Sequence, residues 1–236
     1  MAADLIAGST PGDIRAVLFD MDGLLVDTEP IWMEVERGVL GRLGATWEPG
    51  DQLAIIGGSL EKTIAYLLRR ATRPVPSAVI ADWLVGGMAE SLAGGEIPVM
   101  PGAAELYAEI TAAGLPTALV TSSERVIMEA VLDRLAGQGI EFPVTVCGGD
   151  VSATKPDPEP YLRATTLLGA APTRCVVLED SPNGVAAAEA AGCAVVAVPS
   201  LIPIPARPGR LVTASLAGVS LATLSRLVPA MPVTAR

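Results

Sequence analysis

Four apolar residues, Ala16-Val17-Leu18-Phe19, break off abruptly into Asp20-Met21-Asp22-Gly23. An uninterrupted apolar run bounded by a turn signal reads as a strand buried on both faces. Such strands belong to parallel sheets covered by helices. Open α/β sheets take their ligands outside the carboxyl ends of the strands, so Asp20 and Asp22 stand where that chemistry is placed. Two carboxylates held close together need compensation, most simply from a bound cation. Taken alone, the stretch can equally be a strand and an ordinary acidic turn. The rest of the chain has to decide.

Downstream the chain shows two rhythms. Ile31, Val35, Val39, Leu40 and Leu43 share one helical face, Pro30 suits a first turn and Gly44 a stop. A short helical stretch follows at 50–56. Ser59 then caps a third helix, with Leu60, Ile64, Leu67 and Leu68 on one face. After the break Arg73-Pro74-Val75-Pro76, a fourth helix is predicted over 77–93, ended by Gly94-Gly95. A parallel crossover needs only about a dozen residues, so this helical stretch is an insertion with its own small core.

From Ala103 strands alternate with helices. Strands are predicted at 117–120, 144–147, 175–178 and 194–198, and helices at 104–113, 124–135, 159–168 and 185–191. The proline-rich run 199–208 is a loop, and 211–227 holds one more short strand and a last helix. The expected fold is α/β: a doubly wound parallel sheet with an inserted α-helical domain. The expected domains are an α/β core, 14–29 and 99–230, and the helical insertion, 30–98. Proline-bearing connections at 27–30 and 97–102 join them.

Composition excludes several kinds of chemistry. The chain has no histidine, which rules out a Ser-His-Asp or Cys-His centre and histidine-ligated zinc. Cys147, Cys175 and Cys193 are odd in number and widely spaced, as expected of buried packing thiols in a reducing compartment. A net charge of −10 without a basic run argues against a nucleic-acid partner or an anionic membrane surface. Residues 1–13 lack a signal-peptide pattern, and no membrane span is evident. A cytoplasmic protein working as a monomer or weak dimer is expected.

Three strand ends carry unusual polar residues: Asp20 with Asp22, Thr121 with Ser122, and Glu179 with Asp180. In a parallel sheet all three lie on the same rim. Oxygen-only ligands of this kind suit Mg²⁺. Lys155, between prolines in Thr154-Lys155-Pro156-Asp157-Pro158, can neutralise the acids and also bind a phosphoryl group. Each piece has a plainer reading. Thr121-Ser122-Ser123 can cap a helix, Lys155 can be a solvated loop residue, and Glu179-Asp180-Ser181-Pro182 can be a turn. Their occurrence together, in order, at successive strand ends favours a site.

With these residues in place, the chain resembles the haloacid dehalogenase superfamily. The branch it resembles carries a helical cap after the first strand and includes β-phosphoglucomutase-like and phosphoglycolate-phosphatase-like proteins. Asp20-Met21-Asp22-Gly23 is similar to the first family motif, Thr121 to the second and Lys155 to the third. Glu179-Asp180-Ser181-Pro182-Asn183-Gly184 is similar to the fourth. The resemblance implies a Rossmann-like core and a Mg²⁺-dependent phosphatase acting on small phosphorylated metabolites such as sugar phosphates. Asp20 would be the nucleophile, forming an aspartyl-phosphate, and Asp22 the general acid/base. Thr121, Ser122 and Lys155 would hold the phosphoryl group. The metal would bind Asp20, the Asp22 carbonyl and Asp180, with Glu179 a ligand or its supporting partner.

Two departures bear on the substrate. Trp32 stands where β-phosphoglucomutases carry a histidine, and the segment 55–60 is apolar where they carry basic cap residues. A phosphomutase is therefore the second reading, and a metabolite-sensing or partner-binding module on the same fold a third. Glu61 and Lys62 are the charged residues expected nearest the site.

Overall fold

The computed structural model describes residues 13–56, 58–94, 97–200 and 202–229. The expectations for 1–12, 57, 95–96, 201 and 230 lie outside the described residues. Six parallel strands form one sheet in the order β3-β2-β1-β4-β5-β6. They are β1 (Ala16–Phe19), β2 (Thr117–Val120), β3 (Val144–Val146), β4 (Cys175–Glu179), β5 (Ala194–Ala197) and β6 (Arg210–Val212). Register is fixed at the centre by Phe19 opposite both Leu119 and Leu178. Strand order reverses between β1 and β4, the place where doubly wound sheets open a crevice at their carboxyl ends.

Both faces of the sheet are covered, as the all-apolar strands require. Val17 and Phe19 face α5 (Ala103–Ala112), α6 (Arg125–Ala136) and α9 (Leu221–Ser225). Ala16 and Leu18, pointing the other way, meet α7 (Glu159–Leu167) and α8 (Pro182–Ala190). All three cysteines are buried and free, and burial pushes the Cys175 and Cys193 thiols up to about 11 and about 12. They pack as small apolar residues and do not ionise.

Between β1 and α5 comes the predicted insertion: α1 (Glu29–Arg42), α2 (Pro49–Ile55), α3 (Leu60–Arg70) and α4 (Ser77–Gly94). Pro30 lies in the first turn of α1, and the Ser59 hydroxyl accepts from the Lys62 amide at the start of α3. These helices close on a small core of Val39, Leu40, Leu43, Leu67, Ile80 and Leu84. Met88 and Leu92, further along α4, join the main core instead. The two connections pair with each other. Asp27 N–H donates to Pro98 O and Met100 N–H to Leu25 O, each at 2.9 Å, around an antiparallel Val26–Val99 bridge.

Element boundaries fall within three residues of the sequence expectation. The largest move is α8, which begins at Pro182 rather than 185. Ser181 caps it, its hydroxyl accepting from Gly184 N–H at 3.0 Å. Cap and first-turn proline start the helix before its apolar face begins. Among the described residues, no helix is long and apolar enough to cross a membrane.

Candidate active site

The carboxyl ends of three neighbouring strands, β2, β1 and β4, meet at one ammonium group. Lys155 Nζ donates to Val120 O at 2.9 Å, to Asp20 Oδ1 at 2.5 Å and to Glu179 Oε1 at 2.7 Å. All three side chains are buried. The reading of Lys155 as a solvated loop residue is thereby excluded. A charge buried this deeply is tolerated because it is paired and fully hydrogen-bonded.

Glu179 is the best-anchored acid. Tyr161 O–H donates to its Oε1 at 2.6 Å, while the Asp180 and Ser181 amides and the Ser181 hydroxyl donate to Oε2 at 3.1–3.2 Å. Gly184 makes room for it, since a Cβ there would lie 1.7 Å from Oε1. Gly23, at φ +77°, makes similar room for Asp180, with a Cβ position 2.5 Å from Asp180 Oδ2.

Asp22 turns away from that cluster. Its Oδ1 accepts from Thr28 Oγ1 at 2.6 Å and from Trp32 Nε1 at 3.3 Å. Its Oδ2 accepts from Ser123 Oγ at 2.8 Å and Thr121 Oγ1 at 3.2 Å. Thr121 Oγ1 in turn accepts from Ser123 N–H at 3.0 Å. The hydroxyls of Thr121 and Ser123 thus orient Asp22. They do not cap α6, whose N-cap position is Glu124 and has no side-chain cap.

Carboxylate oxygens of Asp20, Glu179 and Asp180 lie within 4.8 Å of one another. Their charge exceeds what one lysine can neutralise. Burial first, then the Glu179 charge, pushes Asp20 up to about 8 although Lys155 faces it. Burial, Asp20 and Glu179 hold Asp180 well above the usual carboxylate range. Lys155 is raised by the two acids it faces, against its own burial. This crowded, oxygen-only donor set fits a hard divalent cation, which would restore the charge balance. Glu179 has both oxygens engaged by the protein, so Asp20 and Asp180 are the side chains with oxygen atoms to offer. The Asp22 side chain is outside the group, which leaves its carbonyl as the atom it could supply.

A pocket opens above the rim, walled on one side by Asp20, Asp22, Thr121, Ser122, Lys155 and Asp180. The insertion supplies the opposite wall, with Trp32 and Met33 of α1, Ile55 of α2, and Leu60 and Thr63 of α3. All the proposed site residues except Glu179, buried beneath the floor, line it. Glu61 and Lys62 are exposed and do not. The first turn of α3 buries Thr63 and turns its two charged neighbours to solvent. The acids that do line the wall are Glu29 and Glu36 of α1. Sequence reasoning also missed Thr28, Ser123 and Tyr161. Thr28 and Ser123 sit within the motifs that were read, but only folding shows their hydroxyls turned to Asp22.

A family model for haloacid dehalogenase-like hydrolases matches residues 14–192. Hexitol phosphatase B of Escherichia coli O157:H7 is 33% identical over 220 residues, spanning 93% of this chain and 96% of that protein. The crystal structure of CbbY from Rhodobacter sphaeroides in complex with phosphate superposes with a TM-score of 0.80. Its identity is 31%, covering 89% of this chain and 99% of that one. A CbbY mutant from the same organism, in complex with xylulose-(1,5)bisphosphate, gives 0.78 at the same identity and coverage. Motifs, topology and relatives agree, and the chain belongs to the haloacid dehalogenase-like hydrolases.

Proposed function

We propose that the protein is a Mg²⁺-dependent phosphatase that hydrolyses small phosphate monoesters, of the sugar- or polyol-phosphate kind, through an aspartyl-phosphate. The observation that carries this reading is the Lys155 clamp. It fixes Asp20 at the centre of the rim, where the carboxylate faces the pocket beside a candidate cation site.

Asp20 attacks phosphorus and displaces the alcohol, giving an acyl phosphate on its own carboxylate. Asp22 gives a proton to the leaving oxygen and then takes one from the water that hydrolyses the acyl phosphate. Thr28 and Trp32 hold the Oδ1 side of that carboxyl in place, leaving Oδ2 to carry and give up the proton. Ser122 and Thr121 bind the phosphoryl oxygens, Thr121 by turning its hydroxyl from Asp22, and Lys155 pairs with them through its charge. Asp20, the Asp22 carbonyl and Asp180 would hold Mg²⁺, with Glu179 orienting Lys155 from behind. When bound, the ion supplies positive charge that offsets the phosphoryl group and the crowded acids.

Among the relatives, one is named for hexitol phosphates and another was crystallised with a bisphosphate. This pocket favours the monophosphate. Lys155 is its one cation among the described lining residues, and two acids already hold it. For the same reason a mutase acting on bisphosphates is the poorer reading. We also infer that residues 30–98 act as a cap on a core of 14–29 and 99–230. The paired connections and the separate small cluster support this division, whereas Met88 and Leu92 tie the end of α4 to the core.

Phosphate release from a panel of hexitol, sugar and aryl monophosphates, with Mg²⁺ and with EDTA, tests the reading. Turnover that EDTA abolishes and Mg²⁺ restores is expected. A folded protein that releases no phosphate, or that mainly returns an isomerised ester, would overturn it.

A further inference from the structure

Glu36 is a carboxylate that the chemistry just described leaves unused. It sits on α1, lines the pocket and is 7% exposed. Among the described residues it has no hydrogen-bond or ion-pair partner, although every other buried acid has at least one. Among the described residues no fully enclosed side-chain oxygen lacks a partner, so the unpaired oxygens of Glu36 are the part of the side chain still reaching the open space of the pocket. Burying an unpaired carboxyl is costly. A wall that keeps one is poised to satisfy it with something that enters.

Resting on the phosphatase reading, we propose that Glu36 is a specificity-determining residue that hydrogen-bonds a hydroxyl on the neutral, polyhydroxylated tail of the substrate. Glu29, Trp32, Met33 and Glu36 recur at helical spacing, so α1 turns one face to the pocket along about 10 Å of its axis. That face begins beside the phosphoryl site, where Trp32 touches Asp22, and runs to Glu36. The reacting phosphate and Glu36 therefore mark two ends of one ligand.

Chemistry at the far end selects a hydroxyl. A second phosphate or a carboxylate there would face Glu36, on a wall that also carries Glu29, with no free cation among the described lining residues. A purely apolar tail would leave the Glu36 carboxyl unpaired in a closed pocket. Burial and the Glu29 charge push Glu36 up to about 8, so near neutrality it is mostly protonated and can both donate and accept. A hydroxyl offers the complementary donor and acceptor.

Glu36→Leu and Glu36→Gln test the assignment with three esters: a hexitol monophosphate, an alkyl monophosphate of similar length and p-nitrophenyl phosphate. Glu36→Leu should lower kcat/KM for the hexitol ester by about 10- to 100-fold, mostly through KM. The losses with the alkyl and aryl esters should stay under about 3-fold. Glu36→Gln, which keeps a donor and an acceptor, should recover most of the hexitol activity. Equal losses on all three esters, no loss on any, or wild-type preference for an amino-sugar or bisphosphate ester would overturn the proposal. Calorimetric binding of the hexitol ester to Asp20→Asn, with and without Glu36→Leu, reads the same contact without turnover. Weaker binding with Glu36→Leu supports the assignment even if hydrolysis fails, and equal binding overturns it even if the phosphatase reading stands.

Discussion

Glu179 Oε1 and Lys155 Nζ lie 2.7 Å apart in the interior, and this pair aims the lysine at Asp20. Glu179→Gln keeps the shape and removes the charge. It should lower turnover by about 10- to 100-fold, the usual cost of losing a partner behind a site residue. The Mg²⁺ concentration for half-maximal activity should change less than in Asp180→Asn. Magnesium titrations of both variants check the distinction.

Gly184 should tolerate no side chain. A Cβ there meets the Glu179 carboxylate, which cannot retreat because Tyr161, Ser181 and two amides hold it. Gly184→Ala should cost about 1–3 kcal/mol of stability and most of the activity. Gly86, exposed on α4 with open space around its Cα, is the control. Gly86→Ala should stabilise by about 0.5–1 kcal/mol, and urea denaturation measures both.

The four donors on Asp22 are unequal. Thr28, at 2.6 Å, should matter more than Trp32, at 3.3 Å. Thr28→Val should cost about 1 kcal/mol in activation free energy, roughly 5-fold in kcat, and Trp32→Phe less. Asp22→Asn should cost about 10²- to 10⁴-fold. Steady-state rates on p-nitrophenyl phosphate give the ranking.

Glu36 makes stability depend on pH. Its carboxyl is raised from 4.5 to about 8, chiefly by burial and next by Glu29. Below about 4.5 both folded and unfolded chains keep the proton, and the group contributes no pH dependence. As pH rises from 4.5 towards 8, the unfolded chain ionises while the folded one retains its proton. Folding then loses stability, by a few kcal/mol in all, and above about 8 the loss levels off. Glu36→Gln should remove that loss, so its urea midpoint should gain on the wild type between pH 5 and 8.

What the sequence made legible is what depends on order along the chain. Apolar runs ending in polar residues gave the strands, and the motif order placed Asp20, Thr121, Lys155 and Asp180 on one rim. Contacts between distant segments were out of reach. Tyr161 reaches Glu179 because α7 packs beneath the sheet, and nothing in its local pattern distinguishes it from a core residue. Glu61 and Lys62 drew attention because they are charged beside an apolar segment. Only the rotation of α3 shows that Thr63 is buried and they are not. No motif marks Glu36, and its place in the pocket wall follows from how α1 packs over the rim.

The central claim is that Asp20 carries the phosphoryl group. Rapid acid quench of the Asp22→Asn variant with a turnover substrate and Mg²⁺, followed by peptide mass spectrometry, tests it directly. Loss of Asp22 slows the water attack, whereas the p-nitrophenolate of p-nitrophenyl phosphate leaves without a proton, so with that substrate the acyl phosphate should accumulate. The account predicts one added phosphoryl mass on the peptide containing Asp20, absent when Asp20→Asn is introduced as well. Phosphate release by Asp20→Asn at the wild-type rate, or a phosphoryl group found on any other residue, would contradict it.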